Sequence, residues 1–240
     1  MQVKKIIRTL LNVLHLDLNK GLEYDRLTKV ILQKVIRQDS NCIDVGCHVG
    51  EILDIMLNQS PRGSHFGFEP IPSFYTALHN TYKNRATIYP YALSDSDGMT
   101  TFQFVKNAPA FSGIQKRQYA VSTPEIEEIT VEMKKLDDVI PADIPITLIK
   151  IDVEGAEFPV LKGARNLLLR NKPTIIFECG LGASDFYGTK PESVYNFLTT
   201  DIGLKISTLR MYLNSKMSLS EHEFCDLYLT NKEYYFVAYP

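Results

Sequence analysis

Two glycines, Gly46 and Gly50, follow a short apolar segment at residues 41–45 and lead into a segment of helical character. Glycine lets a backbone turn tightly and lets a ligand approach it closely. A second apolar segment, residues 65–68, ends at the acidic residue Glu69. A glycine turn after one strand and an acidic residue after the next are typical of open α/β sheets that bind adenosine-containing ligands. The two segments therefore predict a site for such a ligand.

The glycine spacing and the sign of the nearby charges separate the candidate ligands. The pattern is G-x-x-x-G, whereas dinucleotide-binding turns have G-x-G-x-x-G. Asp44, Glu69, Asp152 and Glu178 fall at the predicted carboxyl ends of parallel strands, which share one edge of a sheet. Such an edge repels a pyrophosphate, but its carboxylates can accept hydrogen bonds from ribose hydroxyls and an ammonium group. The pattern favours S-adenosylmethionine and a methyltransferase over a nicotinamide-dependent oxidoreductase.

Individual residues at this edge can be given roles as hypotheses. Asp44 would orient the glycine turn or accept a hydrogen bond from the ammonium group, and Glu69 would hold the two ribose hydroxyls. Residues 92–95 follow the third predicted strand, where the adenine edge is expected, and Asp152 would face the methionine end. The predicted cofactor-binding residues are Asp44, Gly46, His48, Gly50, Glu69, Pro70, Ala92, Leu93, Ser94 and Asp152.

A second acidic cluster lies in residues 150–157, where Asp152, Glu154 and Glu157 follow a strand and open a helix. Carboxylates in a first helical turn are favoured by the helix dipole, which accounts for part of the cluster. Transfer of a methyl group to a hydroxyl requires a general base. The predicted catalytic residues are Glu157, Asp152 and Glu178. Glu157 is favoured as the base because Asp152 is better placed for the cofactor. A divalent ion on these carboxylates is the alternative, but no metal site is predicted.

Over about residues 40–180 the chain resembles the FkbM family of methyltransferases. The resemblance implies a class I methyltransferase fold, which is an α/β, Rossmann-like, open and mostly parallel seven-stranded sheet with an antiparallel last strand. It also implies O-methylation of hydroxyls on sugars, polyketides or other metabolites. Two departures stand out, since His48 replaces an asparagine and no histidine stands two residues after Glu178. The segments that carry the resemblance are residues 42–50, 68–70, 92–95, 150–157, 161–164 and 177–178.

The elements that must position these residues alternate between strands and helices. Several of the predicted strands are nearly continuous apolar runs, as expected for strands buried on both faces. The irregular segment 106–128 lies between two extra strands, 100–105 and 129–134, and such insertions are often lids or substrate loops. The main strands are predicted at residues 42–45, 65–69, 87–91, 147–152, 174–178, 204–209 and 234–239, with helices at 51–58, from 72, at 157–170 and at 191–200.

The N-terminal part of the chain has the apolar periodicity of two helices, at residues 3–18 and 22–37. We therefore divide the chain into a helical cap, residues 1–38, and an S-adenosylmethionine-dependent methyltransferase domain, residues 39–240. The first helix has a basic polar face, so it either packs on the domain or docks peripherally to a partner or an anionic membrane surface.

The bulk properties exclude several classes of protein. The 240 residues carry a net charge of −2, which does not favour electrostatic binding of nucleic acid. The sequence has no apolar run of the ~20 residues that a membrane span needs. Its four cysteines form no C-x-x-C pair, which suits free thiols in the cytoplasm. The expected partner is a small-molecule or carbohydrate acceptor, and a non-catalytic S-adenosylmethionine-binding module remains an alternative.

Overall fold

The computed structural model describes residues 20–117, 119, 121–215 and 217–240. The predicted helix at residues 3–18 and its docking surface lie outside the described residues. The described strands are β1 (Cys42–Val45), β2 (His65–Phe68), β3 (Thr87–Tyr89), β4 (Tyr91–Leu93), β5 (Gly98–Val105), β6 (Ile126–Lys134), β7 (Leu148–Ile151), β8 (Thr174–Glu178), β9 (Lys205–Thr208) and β10 (Tyr235–Tyr239). The described helices are α1 (Lys20–Val35), α2 (Glu51–Gln59), α3 (Pro72–Tyr82), α4 (Leu136–Val139), α5 (Glu157–Gly163), α6 (Arg165–Asn171), α7 (Pro191–Asn196), α8 (Leu209–Asn214) and α9 (Glu221–Leu229).

Seven strands form the central sheet, in the order β3-β2-β1-β7-β8-β10-β9. The pairs from β3 to β8 are all parallel, whereas β10 runs antiparallel to both of its neighbours, β8 and β9. This arrangement confirms the predicted mostly parallel sheet with an antiparallel last strand. It also brings the carboxyl ends of five strands to one edge of the sheet.

The alternation of side chains along each strand divides the core into two layers. Cys42, Leu148 and Ile176 lie on one face with buried residues of α1, α2 and α3. Ile43 and Ile149 lie on the opposite face with buried residues of α4 to α7 and α9. Because both faces are covered, the strands are apolar at nearly every position.

A second, three-stranded sheet has the order β4-β6-β5. Its long antiparallel pair, β5 and β6, confirms the two extra strands predicted on either side of the insertion. The strand predicted at residues 87–91 is instead two strands that meet at Pro90, and only the first joins the main sheet. Proline has no N–H to donate to a ladder, so it is a natural boundary between them.

The helices also differ from the prediction. The helix predicted at residues 157–170 is divided into α5 and α6, and Gly163 at the end of α5 lies against the backbone carbonyl of Ser94. A β-carbon at Gly163 would lie 2.0 Å from that oxygen, so only glycine allows this contact. The helix α9 was not predicted, although Ser220 and Glu223 form a capping box at its start.

The other structural expectations concern membrane helices and cysteines. Among the residues described above, no helix combines the length and the apolar character that a membrane crossing requires. All four cysteines are free thiols, as predicted, and only Cys225 is partly exposed.

Candidate active site

A cleft with about 830 Å³ of empty space lies at the carboxyl ends of β1, β2 and β7. The sequence placed its candidate residues at this edge of the sheet, and the structure brings most of them into one wall. The predicted residues that line the cleft are Gly46, His48, Glu69, Pro70, Ala92, Leu93 and Asp152.

At Gly46 the loop that follows β1 packs directly against the loop that follows β7. Gly46 has a φ of +82°, and a β-carbon there would lie 2.0 Å from the backbone oxygen of Asp152. His48 also has a left-handed backbone, with a φ of 49°. Asparagine and histidine tolerate this conformation better than most residues, which accounts for His48 where the resembled family has asparagine. The turn therefore requires a glycine at position 46 and, at position 48, a residue that tolerates a left-handed backbone.

Replacement of Gly46 by alanine is expected to lower the thermal midpoint strongly and to abolish ligand binding, because its β-carbon collides with the backbone after β7. Gly182→Ala is the matched control, since Gly182 has a φ of +91° and no atom lies within 4 Å of the position that its β-carbon would take. It should cost only the ~1 kcal/mol of a left-handed alanine. Equal thermal midpoints for the two variants would contradict the close contact at Gly46.

Glu69 is buried at the cleft wall and orders the turn beside it. One carboxylate oxygen accepts the backbone N–H of His48 at 2.8 Å, and the other accepts that of Ile71 at 3.0 Å. Burial raises the pKa of Glu69 to about 7, although these two hydrogen bonds oppose the shift. A carboxylate oxygen has two lone pairs, so each oxygen can still accept a hydroxyl of a ligand in the cleft.

Three predicted cofactor residues lie behind the cleft instead of in its lining: Asp44, Gly50 and Ser94. Asp44 is buried within β1, and burial raises its pKa to about 6. Gly50 precedes α2, and a β-carbon there would lie 2.7 Å from the hydroxyl of Tyr82. Ser94 donates its backbone N–H to the carbonyl of Lys134. In the described structure these residues support the walls of the cleft.

Asp152 follows β7, lines the cleft and pairs with a buried cation, Lys150. Its Oδ2 accepts hydrogen bonds from the ammonium of Lys150, at 2.9 Å, and from the hydroxyl of Tyr235. Burial alone would raise the pKa of Asp152, but the Lys150 charge and these hydrogen bonds outweigh it and hold the pKa below its usual value. Asp152 is therefore an anion that the protein keeps in a fixed orientation.

Glu178, at the end of β8, completes a cluster of three carboxylates with Asp152 and Glu154. One oxygen from each lies within 4.8 Å of the others. Burial and the neighbouring charges of Asp152 and Glu157 raise the pKa of Glu178 well above its usual value. Oxygens at this spacing are also suitable ligands for a divalent cation, so the absence of a metal stays a prediction. The cluster can hold a proton at neutral pH.

Glu157 is almost fully buried, with 2% of its surface exposed, and it does not line the cleft. Its Oε1 accepts the backbone N–H groups of Val153 and Gly155, at 2.9 and 3.2 Å. These hydrogen bonds hold a turn in which Glu154 has a φ of 60° and Gly155 a φ of 109°. Burial raises the pKa of Glu157 to about 7. Its contacts favour a role in ordering this turn over direct contact with an acceptor.

The raised pKa values of Asp44, about 6, and of Glu69 and Glu157, about 7, predict that stability falls as pH rises. The folded protein binds more protons than the unfolded chain from about pH 4 to about pH 7, so the free energy of unfolding decreases across this interval. Without a ligand, we expect it to be at least ~2 kcal/mol lower at pH 8 than at pH 5. Urea denaturation at the two pH values measures this difference, which Glu157→Gln should reduce. Equal or greater stability at pH 8 would contradict the expectation.

Several residues of the site were not predicted. Tyr235 was missed because β10 is antiparallel: its first residue, not its last, pairs with Glu178 at the edge of the site. Lys150 was missed as the partner of Asp152, although it lies two residues before it. The insertion predicted as a lid or substrate loop contributes cleft wall through Pro109, Ala110, Ser112 and Ile114.

The sheet and the cleft at its carboxyl edge define a class I methyltransferase fold. The sheet has seven strands with β10 reversed, and the cleft lies over a glycine turn at their carboxyl ends. The chain belongs to the methyltransferase FkbM domain family, whose sequence profile matches residues 44–231. A solved structure of methyltransferase FkbM from Methylobacillus flagellatus KT aligns with a TM-score of 0.52 and 14% identity, over 99% of this chain and 59% of that one. It shares the fold.

Curated relatives are methyltransferases of moderate similarity. Methyltransferase 1 of Beauveria bassiana is 27% identical over 148 residues, which are 52% of this chain and 58% of the relative. The hexuronic acid methyltransferase AglP of Haloferax volcanii is 31% identical over 143 residues, which are 58% of this chain and 55% of the relative. The matches thus span little more than half the length of these relatives.

Proposed function

We propose that this protein transfers a methyl group from S-adenosylmethionine to a hydroxyl of a carbohydrate or glycosylated metabolite. The observation that carries the proposal is the pair of carboxylates in one cleft, Glu69 after β2 and Asp152 after β7, on the two strands that flank β1 and its glycine turn. A cofactor with ribose hydroxyls and two positive groups fits such a pair, whereas a pyrophosphate does not.

The residues of the cleft divide the binding task by their chemistry. Glu69 would accept hydrogen bonds from the two ribose hydroxyls, and Asp152 would face the positively charged methionine end. Gly46 lets the turn after β1 pack directly against the backbone of Asp152, and both residues line the cleft. Ala92 and Leu93 offer an apolar wall for the adenine ring.

The protein's chemical task is to align the acceptor and to remove its proton. When bound, S-adenosylmethionine supplies an electrophilic methyl group on a positively charged sulfur. The Asp152–Glu178 pair would take the proton of the acceptor hydroxyl, because Asp152 lines the cleft as an anion and lies next to Glu178, whose raised pKa helps the pair to hold the proton. Glu157 would position this pair by holding the turn that begins after Asp152.

Two observations bear on the nature of the acceptor. One relative is named for a hexuronic acid substrate, which supports a carbohydrate. The insertion brings apolar and small residues to the same cleft and would cover the acceptor from solvent.

Calorimetric titration with S-adenosylmethionine, S-adenosylhomocysteine and NAD tests the cofactor, and transfer of labelled methyl groups to a panel of sugars and glycosides tests the reaction. We expect micromolar binding of the first two ligands and label in at least one sugar, with or without EDTA. Binding without transfer would indicate a non-catalytic module, and binding of NAD alone would indicate an oxidoreductase. Loss of transfer in EDTA would place a divalent ion in the mechanism.

A further inference from the structure

Arg117, in the insertion between β5 and β6, is a buried cation next to the carboxylate cluster. Its side chain is 8% exposed, and its Nη2 forms an ion pair with the carboxylate of Glu154. Its guanidinium also lies over the ring of Phe111, 5.3 Å from the centroid. Within the described part of the chain, its Nε has no hydrogen-bond partner. The guanidinium is therefore desolvated but incompletely paired.

An incompletely paired guanidinium beside a cleft favours a particular ligand chemistry. Buried donors without acceptors cost free energy, more so when they are charged. A guanidinium presents its N–H groups as a planar fork that matches the two oxygens of a carboxylate or a phosphate. Arg117 would gain such a partner from an anionic ligand in the cleft.

In the described structure Glu154 is the anionic partner of Arg117, and its backbone conformation is strained. It lines the cleft, its side chain is 16% exposed, and its backbone has a left-handed φ of 60°. Non-glycine residues in this conformation store strain and cluster at functional sites. Glu154 is thus a strained internal anion that holds Arg117 beside the cleft.

The charges around Arg117 allow an anion to replace Glu154. Lys150 pairs with Asp152, and Glu178 is one of the three clustered carboxylates that favour sharing a proton. The buried Glu157 carries two hydrogen bonds from the backbone. The carboxylates of Asp152, Glu157 and Glu178 are therefore partly compensated, so they would not all repel an anion that binds Arg117. Glu154 could then turn toward solvent.

We propose that Arg117 selects acceptors that carry an anionic oxygen group, a carboxylate or a phosphate, near the hydroxyl that is methylated. The group would exchange with Glu154 on the guanidinium. This inference rests on the proposed function, since it names the acceptor class of the same site. Lys116 is the matched control, because it is exposed and pairs with Glu128 at 2.9 Å on the surface.

The test uses the full chain saturated with S-adenosylhomocysteine, titrated with methyl glucuronoside, glucose 1-phosphate and methyl glucoside. We expect at least one anionic sugar to bind about tenfold or more tightly than the neutral glucoside, as charged hydrogen bonds require. Arg117→Gln should abolish the preference, and Lys116→Gln should retain it. Comparison of the glucuronoside with glucose 1-phosphate shows whether the preferred anionic group is a carboxylate or a phosphate.

Equal binding of all three sugars, binding of none of them, or an unchanged preference in Arg117→Gln would overturn the proposal. If S-adenosylhomocysteine does not bind, the proposed function falls with it. If it binds and label reaches the neutral glucoside as fast as the anionic sugars, only the selection by Arg117 is wrong.

Discussion

Glu69→Gln is expected to weaken S-adenosylmethionine binding by about 100-fold. Both carboxylate oxygens of Glu69 order the turn, through the N–H groups of His48 and Ile71, and both would accept ribose hydroxyls. Glutamine offers one oxygen, and its NH₂ group would face a backbone donor. Loss of charged hydrogen bonds at ~1.5–3 kcal/mol each gives the expected magnitude. Calorimetric titration measures the dissociation constant.

Control variants distinguish the loss of the contact between Glu69 and the cofactor from the loss of the folded structure. Glu51→Gln removes an exposed carboxylate from the start of α2 and should bind within about twofold of wild type. Glu69→Asp keeps the charge with a shorter reach and should be intermediate. Because burial raises the pKa of Glu69 to about 7, wild-type affinity should increase from pH 6 to pH 8. Wild-type affinity in a folded Glu69→Gln variant would remove Glu69 from the cofactor site.

Glu178→Gln is expected to reduce turnover by about 10²- to 10³-fold, the usual contribution of a general base. Affinity for S-adenosylhomocysteine should stay within about threefold, because no cofactor contact is assigned to Glu178, which would act on the acceptor through Asp152 in the cleft wall. Glutamine has nearly the same shape but cannot take a proton. Single-turnover methyl transfer over a range of pH measures the effect and should show a changed pH profile.

Glu157→Gln is the comparison that decides between the two candidate bases. Its amide oxygen can still accept the N–H groups of Val153 and Gly155, so turnover should remain within about threefold of wild type. Glu157→Ala removes both hydrogen bonds and should lower the free energy of unfolding by ~2 kcal/mol. If Glu157→Gln loses turnover while Glu178→Gln keeps it, the base is Glu157, as the sequence alone favoured.

The sequence by itself determined the sheet and the edge that carries the site. Strands buried on both faces need apolar residues at most positions, so β1, β7 and β8 are visible as nearly continuous apolar runs. Parallel strands share one carboxyl edge, which is why Glu69 and Asp152 could be placed together although they lie far apart in the chain. The left-handed turn at Gly46 was equally visible, because few other residues adopt that backbone.

Only the tertiary structure decided which of these carboxylates face the cleft. Glu157 and Asp44 lie at the carboxyl edge of the sheet, but neither faces the cleft. The carboxylate of Glu157 accepts backbone N–H groups, and Asp44 is buried. Tyr235 and Arg117 reach the site from an antiparallel strand and from an irregular insertion, and neither position follows from strand periodicity. The reason is physical: the sequence pattern fixes where a strand ends, but the direction and pKa of a side chain depend on partners brought near it by distant segments.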